Sequence, residues 1–439
     1  MAEAYHVRPL ARPFEATVSV PGSKSQTNRA LLLAALARGR SVLHGALFSD
    51  DSQVFVQSLR RLGLAVDTDE LANAIAVEGT AGSIPAAAAE LYVGNAGTAA
   101  RFLTAFLTLG HGEYVLDGVP RMRERPIGDL LDALAGLGAH VESISRNGCP
   151  PVRVWAAGLH GGETVVDARR SGQFLSALLM VAPYARSDTV LRLESRLASA
   201  PYVAMTLGMM RAWGVEVVVG GDPASASPDR PASYKVRAGQ RYEPCHYEIA
   251  PDASGASYFL AAAAVTGGHV RVRSLALAQE QGDFGLLSVF ERMGCRVAIV
   301  GNDVELSGPA SLDGVDVDLN AMSDTTMTLA AIAPFAIAPV KLRNIGHIRE
   351  KETDRISATV TELRRLGAQV EEWQDGLVVY PSVLHGAEVQ TYDDHRMAMA
   401  FAVTGLLVPG LSIADPSCVA KTFPDFFARF EAACGGVPS

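Results

Sequence analysis

The stretch PGSKSQTNRALLLAAL, Pro21 to Leu36, decides how this chain must be built. From Ala30 onward it is Leu and Ala, apolar at every helical position rather than along one stripe. A helix apolar on all faces is buried on all sides, so helices belong in the interior here and sheets outside them. The start of the same stretch is polar and carries Lys24 and Arg29. A helix N-terminus has a partial positive charge and unpaired N–H groups, and it attracts anions. Cations there either bend into solvent or gather around an anionic ligand.

The design returns five more times, in NAGTAARFLTAFL (95–107), RSGQFLSALLMV (170–181), DASGASYFLAAAAV (252–265), SDTTMTLAAIAP (323–334) and DDHRMAMAFAV (393–403). Each begins polar, turns apolar, and ends in a Gly- or Pro-containing break before a strand such as SVLHG, YVLDG or HVRVR. Between these lie amphipathic helices that end in a shared joint: LRRLGLAV (59–66), LAGLGAHV (134–141), MRAWGVEV (210–217), FERMGCRV (290–297), LRRLGAQV (363–370) and FEAACGGV (430–437). The joints recur every 67 to 80 residues, a supersecondary unit with one inner and one outer helix. Glycine suits each joint because it accepts the left-handed backbone that ends a helix.

The expected fold is therefore α/β, a two-domain inside-out barrel in which buried helices are surrounded by sheets. Three units lie before about Gln240 and three after it. The N-terminal FEATVSVPG (14–22) reads as a strand that completes the short sixth unit. That makes one domain discontinuous, residues 1–21 plus 245–439, with 22–244 inserted.

The 439 residues carry a net charge of −9, which argues against a general nucleic-acid binder. The five cysteines are scattered, with no C-x-x-C pair, so a reducing cytoplasm is the expected setting. The start MAEAYHVRPL has no apolar signal core, and no apolar run is long enough to span a membrane.

In an acidic chain, cations at helix starts are notable when they recur. Lys24, Arg29, Arg101, Arg125, Arg355, Arg396 and Lys421 all stand at or just before such starts. One instance means little, since Lys and Arg are common on surfaces. The set points to a strongly anionic ligand with phosphate and carboxylate groups. Asp324 and Glu352 lie among these cations. Read plainly they are an N-cap and a first-turn carboxylate; read chemically they are an acid–base pair. His395 is a core histidine, a metal ligand or a substrate contact, and no H-E-x-x-H motif favours the metal. VGNAGTAAR imitates a dinucleotide fingerprint, but its glycines are spaced G-x-x-G. GSKS lacks the upstream glycine of a phosphate-binding loop.

With these stretches collected, the chain resembles the 5-enolpyruvylshikimate-3-phosphate synthase family of enolpyruvyl transferases (3-phosphoshikimate 1-carboxyvinyltransferases). The resemblance spans almost the whole length and is carried by PGSKSQTNRAL, GNAGTAAR, RERPIGDL, SGQFLSALLM, KETDRI, DDHRMAMAF and AKTFPDFF. It implies two domains of three βαβαββ units each. It also implies transfer of the enolpyruvyl group of phosphoenolpyruvate to the 5-hydroxyl of shikimate 3-phosphate, with loss of phosphate, through a tetrahedral intermediate. That is a step toward chorismate and the aromatic amino acids, and the step blocked by glyphosate. The family needs no metal or organic cofactor, and a monomer is expected.

By motif, the resemblance assigns Lys24, Ser25, Arg29, Ser171, Gln173, Ser199, Asp324, His347 and Lys351 to shikimate 3-phosphate, with Tyr202 alongside. It assigns Lys24, Asn95, Gly97, Arg125, Gln173, Arg355, Arg396 and Lys421 to phosphoenolpyruvate. Asp324 would accept the 5-hydroxyl proton, Glu352 would protonate the methylene carbon, and Arg101 would be a support. Three departures stand out. Gly172 replaces a serine, His347 replaces an asparagine, and Phe102 replaces a proline behind the phosphoenolpyruvate pocket. The rival readings are the enolpyruvyl transferase acting on UDP-N-acetylglucosamine and a non-catalytic anion-binding repeat protein. The first has Lys-Asn where Lys24-Ser25 stand, and a cysteine that RMRERPIG (121–128) lacks. The paired Asp324 and Glu352 argue against the second.

Overall fold

The structure, a computed structural model, describes residues 4–13, 15–222, 225–227 and 232–434. The glycines of the sixth joint, Gly435 and Gly436, lie outside them. The chain divides into two compact units, Gly22–Ile249 and Met1–Pro21 with Ala250–Ser439.

In the unit 22–249 the inner helices are α1 (Lys24–Leu36), α2 (Gly97–Leu107) and α3 (Gly172–Val181). α1 is buried from Gln26 through Leu36 and α2 along its whole length. Among the described residues, three four-stranded sheets enclose these helices. Each has one plan: a leading strand pairs parallel with the strand after the inner helix, and two antiparallel strands follow. The amphipathic helices lie between, such as Asp50–Arg61, which buries Phe55, Val56 and Leu59. The first repeat takes its leading strand from the far end of the unit. His246–Glu248 pairs parallel with Arg38–His44, which keeps residues beyond Pro244 in this unit.

In the other unit the inner helices are α4 (Ala253–Thr266), α5 (Thr326–Ile332) and α6 (His395–Gly405). Among the described residues, two four-stranded sheets and one three-stranded sheet surround them. Here the sequence reading needs correcting. The strand Glu15–Val18 does not complete the sixth repeat; it pairs parallel with His269–Val272 and opens the fourth. The sixth is completed instead by the short strand Tyr5–His6, antiparallel to Ser412–Ile413. Ala16 and Val18 alternate inward and so fit the fourth repeat's four-residue register, whereas the sixth offers only a two-residue edge.

Five joint glycines, Gly63, Gly138, Gly214, Gly294 and Gly367, have φ between 86° and 94°. A side chain is disfavoured in that backbone, so glycine fixes where each outer helix ends.

Candidate functional site

Two polar clusters sit at the starts of the inner helices, one in each unit. In the unit 22–249, Ser23 caps α1 and Lys24 follows it, with Nζ 3.5 Å from the buried Asp51 carboxylate. Ser25 offers its carbonyl oxygen to Arg29 Nη1 at 2.9 Å. Arg29 is 1% exposed. It also donates to Thr206 Oγ1 at 2.7 Å, to the Tyr202 carbonyl at 3.1 Å and to Ser176 Oγ at 3.4 Å. Burial lowers its pKa to about 10, which leaves it cationic at neutral pH. Arg29 thus ties α1 to α3 and to the Ala200–Ala212 helix.

α2 begins with Gly97 and has no side-chain cap, which leaves backbone N–H groups directed out of the helix end. Arg101 donates to the Gly97 carbonyl at 3.0 Å and to the Pro126 carbonyl at 2.8 Å. Arg125 donates from Nη1 to both the backbone and side-chain oxygens of Asn95, at 2.9 and 3.1 Å. It follows the short Pro120–Glu124 turn, and the next helix begins at Gly128 rather than at Pro126. Ser171 caps α3, accepting from Gln173 N, and Gln173 Nε2 donates to Thr98 Oγ1 at 3.1 Å. Ser199, in a left-handed conformation, precedes the Ala200–Ala212 helix.

Two of the departures acquire structural reasons. A carbon placed on Gly172 would lie 2.8 Å from the Ala198 carbonyl oxygen and 3.3 Å from Val203 Cγ2. The chain that carries Ser199 therefore packs where a serine side chain would stand. Phe102 faces Arg29, whose Cζ is 5.3 Å from the ring centroid. It packs against that cation, a favourable contact for a buried guanidinium.

In the other unit, Arg355 is the hub. It begins the Arg355–Arg365 helix and is 1% exposed. Nε lies 2.7 Å from Asp394 Oδ2, Nη1 3.0 Å from Asp324 Oδ1, and Nη2 2.7 Å from Glu352 Oε2. Burial alone would lower its pKa, but the carboxylates of Asp394, Glu352 and Asp324 outweigh burial and raise it. Arg396 Nη2 lies 2.7 Å from Asp324 Oδ2, and Lys421 Nζ 3.5 Å from Glu352 Oε1. Lys351 Nζ stands 3.8 Å from Asp324 Oδ1. Asp324 and Glu352 are thus brought together through Arg355. Neither has the ordinary helix-start role. Thr325 precedes α5, and Asp354 caps the Arg355–Arg365 helix. Lys421 ends the Pro416–Lys421 turn, before a helix that begins at Phe426. His395 is fully buried at the start of α6, with Nδ1 3.6 Å from Asp394 Oδ1. Among the described residues no group of three or more His, Cys, Asp or Glu could hold a metal ion.

His347 Nε2 lies 3.0 Å from Ser323 Oγ. Burial, and then Lys351, push its imidazole down to about 4 against the pull of Asp324. An unfolded histidine titrates near 6.5, so between the two values the unfolded chain binds more protons. Stability should therefore be lost as pH falls from about 6.5 toward 4. His347→Gln should reduce that loss, seen as a shallower fall of Tm with pH; an unchanged slope would show that His347 is not the group responsible.

The sequence profile of the family described as EPSP synthase (3-phosphoshikimate 1-carboxyvinyltransferase) matches residues 10–430. The chain belongs to this family. It is 53% identical over 421 residues to the 3-phosphoshikimate 1-carboxyvinyltransferase of Nostoc punctiforme, covering 96% of this chain and 97% of that one. It is 46% identical over 437 residues to the chloroplastic enzyme of that name from Arabidopsis thaliana, covering 96% of this chain and 82% of that one. The fold matches that of an EPSP synthase from Acinetobacter baumannii with a TM-score of 0.80 at 23% identity, over 99% and 98% of the two chains.

Sequence reasoning missed three carboxylates: Asp51 beside Lys24, Asp394 beneath Arg355, and Asp283, taken up below. DDHR carried a usable signal for Asp394, since an Asp one residue before a helix is a cap candidate. Asp51 and Asp283 gave none, because their partners lie 27 or more residues away.

Proposed function

We propose that this EPSP synthase family member transfers the enolpyruvyl group of phosphoenolpyruvate to the 5-hydroxyl of shikimate 3-phosphate and releases phosphate. The observation that carries the catalytic assignment is the pair Asp324 and Glu352, joined through one buried arginine and flanked by Arg396, Lys351 and Lys421. In the addition step Asp324 takes the hydroxyl proton, the oxygen bonds to C2 of phosphoenolpyruvate, and Glu352 delivers a proton to C3. In the elimination step a proton returns from C3 to Glu352 as the C2–O bond to phosphate breaks, and the proton held by Asp324 leaves with the phosphate.

Arg355 and Lys421 flank Glu352, so an anionic substrate arriving among them meets counter-charges beside the group that is proposed to deliver the proton. Lys24, Ser25, Ser171, Gln173, Ser199, His347 and Lys351 are proposed contacts for shikimate 3-phosphate. Arg29 acts there chiefly by holding α1 in place, since its guanidinium already serves four protein acceptors. Lys24, Asn95, Gly97, Arg125, Gln173, Arg355, Arg396 and Lys421 are proposed for phosphoenolpyruvate. The enzyme is proposed to act as a cytoplasmic monomer; no helix among the described residues is long and apolar enough to cross a membrane. Incubation with both substrates should give a product with new vinyl proton resonances, and none would form if the assignment is wrong.

Gly97 gives a sharper test. A carbon placed there would lie 2.5 Å from Arg101 Nη1 and 2.7 Å from Arg125 Cζ. Gly97→Ala must therefore push Arg125 aside rather than fill open space. Glyphosate is longer than phosphoenolpyruvate and should suffer more. Wild type should be inhibited by glyphosate. The variant should lose inhibition at least about tenfold beyond any rise in the KM for phosphoenolpyruvate, the scale of 1–2 kcal/mol of overpacking. Inhibition curves that coincide after scaling to each KM would remove Gly97 from the pocket.

A further inference from the structure

Behind the Asp324–Arg396 ion pair lies a carboxyl group that the steps above do not use. Asp283 sits in the Gly282–Gly285 turn and is 2% exposed. The turn is pinned to the start of α4: Gln281 donates to the Pro251 carbonyl at 2.7 Å and accepts from Ala253 N at 2.9 Å. Ser254 Oγ donates to Asp283 Oδ2. The same serine oxygen accepts from Arg396 Nη2 at 3.4 Å, and that nitrogen is 2.7 Å from Asp324 Oδ2. A hydroxyl has one proton and two lone pairs. While the proton is given to the Asp283 carboxylate, the lone pairs face Arg396. If Asp283 takes up a proton, its oxygens accept more weakly and its own O–H competes as a donor, so the serine proton is no longer held firmly away from Arg396.

We propose that Asp283 is a positioning residue: as a carboxylate it orients Ser254, whose oxygen then holds Arg396 against Asp324. The proposal rests on the roles given above to Asp324 and Arg396. The groups facing Asp283 are Ser254 and Asp252 at the start of α4, Asp324 in the Asn320–Thr325 turn, and Arg396 of α6. The charged residues of the adjoining Leu286–Arg292 helix, Glu291 and Arg292, are exposed. Burial, helped by Asp324, pushes the Asp283 carboxyl up to about 6, against Arg396 and the Ser254 bond. The relay is therefore set at neutral pH and lost as pH falls through that value.

The test is the pH profile of kcat for wild type, Asp283→Asn, Ser254→Ala and the double variant. Each single variant should lose about tenfold in kcat at neutral pH, the worth of one charge-assisted hydrogen bond. The KM for shikimate 3-phosphate should stay unchanged. Both should lack a wild-type inflection near pH 6, and the double variant should be no worse than either single one. Substrate phosphate also titrates in this region, but its inflection is common to all four enzymes. An Asp283→Asn profile parallel to wild type, or additive losses in the double variant, would overturn the proposal. If Asp283→Asn does not fold, Ser254→Ala carries the same test, since it breaks the same relay. Asp324→Asn run alongside separates the two levels. If it keeps full turnover, the reading of the site fails. If it loses turnover while Asp283→Asn keeps the wild-type profile, only the relay fails.

Discussion

Arg355→Met should destabilise the unit that contains it by roughly 3–5 kcal/mol, the range for removing one partner of a buried ion pair. The guanidinium is buried and meets three carboxylates, those of Asp324, Glu352 and Asp394. Methionine matches its length and apolar stem but leaves those charges without their shared counter-ion. Arg396, Lys421 and Lys351 can compensate Asp324 and Glu352 in part. Asp394 depends on Arg355 more heavily: it is fully buried and receives both Nε and Nη2. For a unit of this size the loss corresponds to a fall in Tm of roughly 6–20 °C. Arg355→Lys should fall between, because a point charge cannot serve Asp394 with two nitrogens. A Tm for Arg355→Met within a degree or two of wild type would mean that the three carboxylates do not share this cation.

Glu352→Gln should lower turnover by about 10²-fold or more, the scale of a lost general acid–base group. The exchange preserves size, and the amide oxygen can still accept from Arg355, so folding should survive. Shikimate 3-phosphate should bind nearly as in wild type, because Glu352 acts on the methylene carbon of the other substrate. Asp324→Asn should cost as much turnover and also weaken shikimate 3-phosphate binding, since Asp324 is proposed to touch its 5-hydroxyl. Rapid-quench and equilibrium-binding measurements separate the two effects. Near-normal turnover in Glu352→Gln would withdraw its role as proton donor.

The inner helices were legible because they are apolar on every face, and no tertiary knowledge is needed to see that such a helix must be enclosed. The joints were legible because glycine recurs in each, and in the five described ones it has a backbone conformation that other residues resist. The destination of the N-terminal strand was not. FEATVSVPG has a strand's alternation, but which sheet it joins depends on pairing with residues some 250 positions away, and alternation carries no such address. The candidate site divides the same way. The cations at helix starts could be seen as types in places. Glu352 and Arg355 lie three residues apart and so could meet locally. The link from Arg355 to Asp394, and the seating of Phe102 against Arg29, depend on helices that meet only in the folded chain.

The identity of the acceptor is tested most directly by phosphate release from phosphoenolpyruvate. The enzyme should release phosphate rapidly with shikimate 3-phosphate and not above background with no acceptor or with UDP-N-acetylglucosamine. Release that depends on UDP-N-acetylglucosamine, or that is indifferent to shikimate 3-phosphate, would contradict the account.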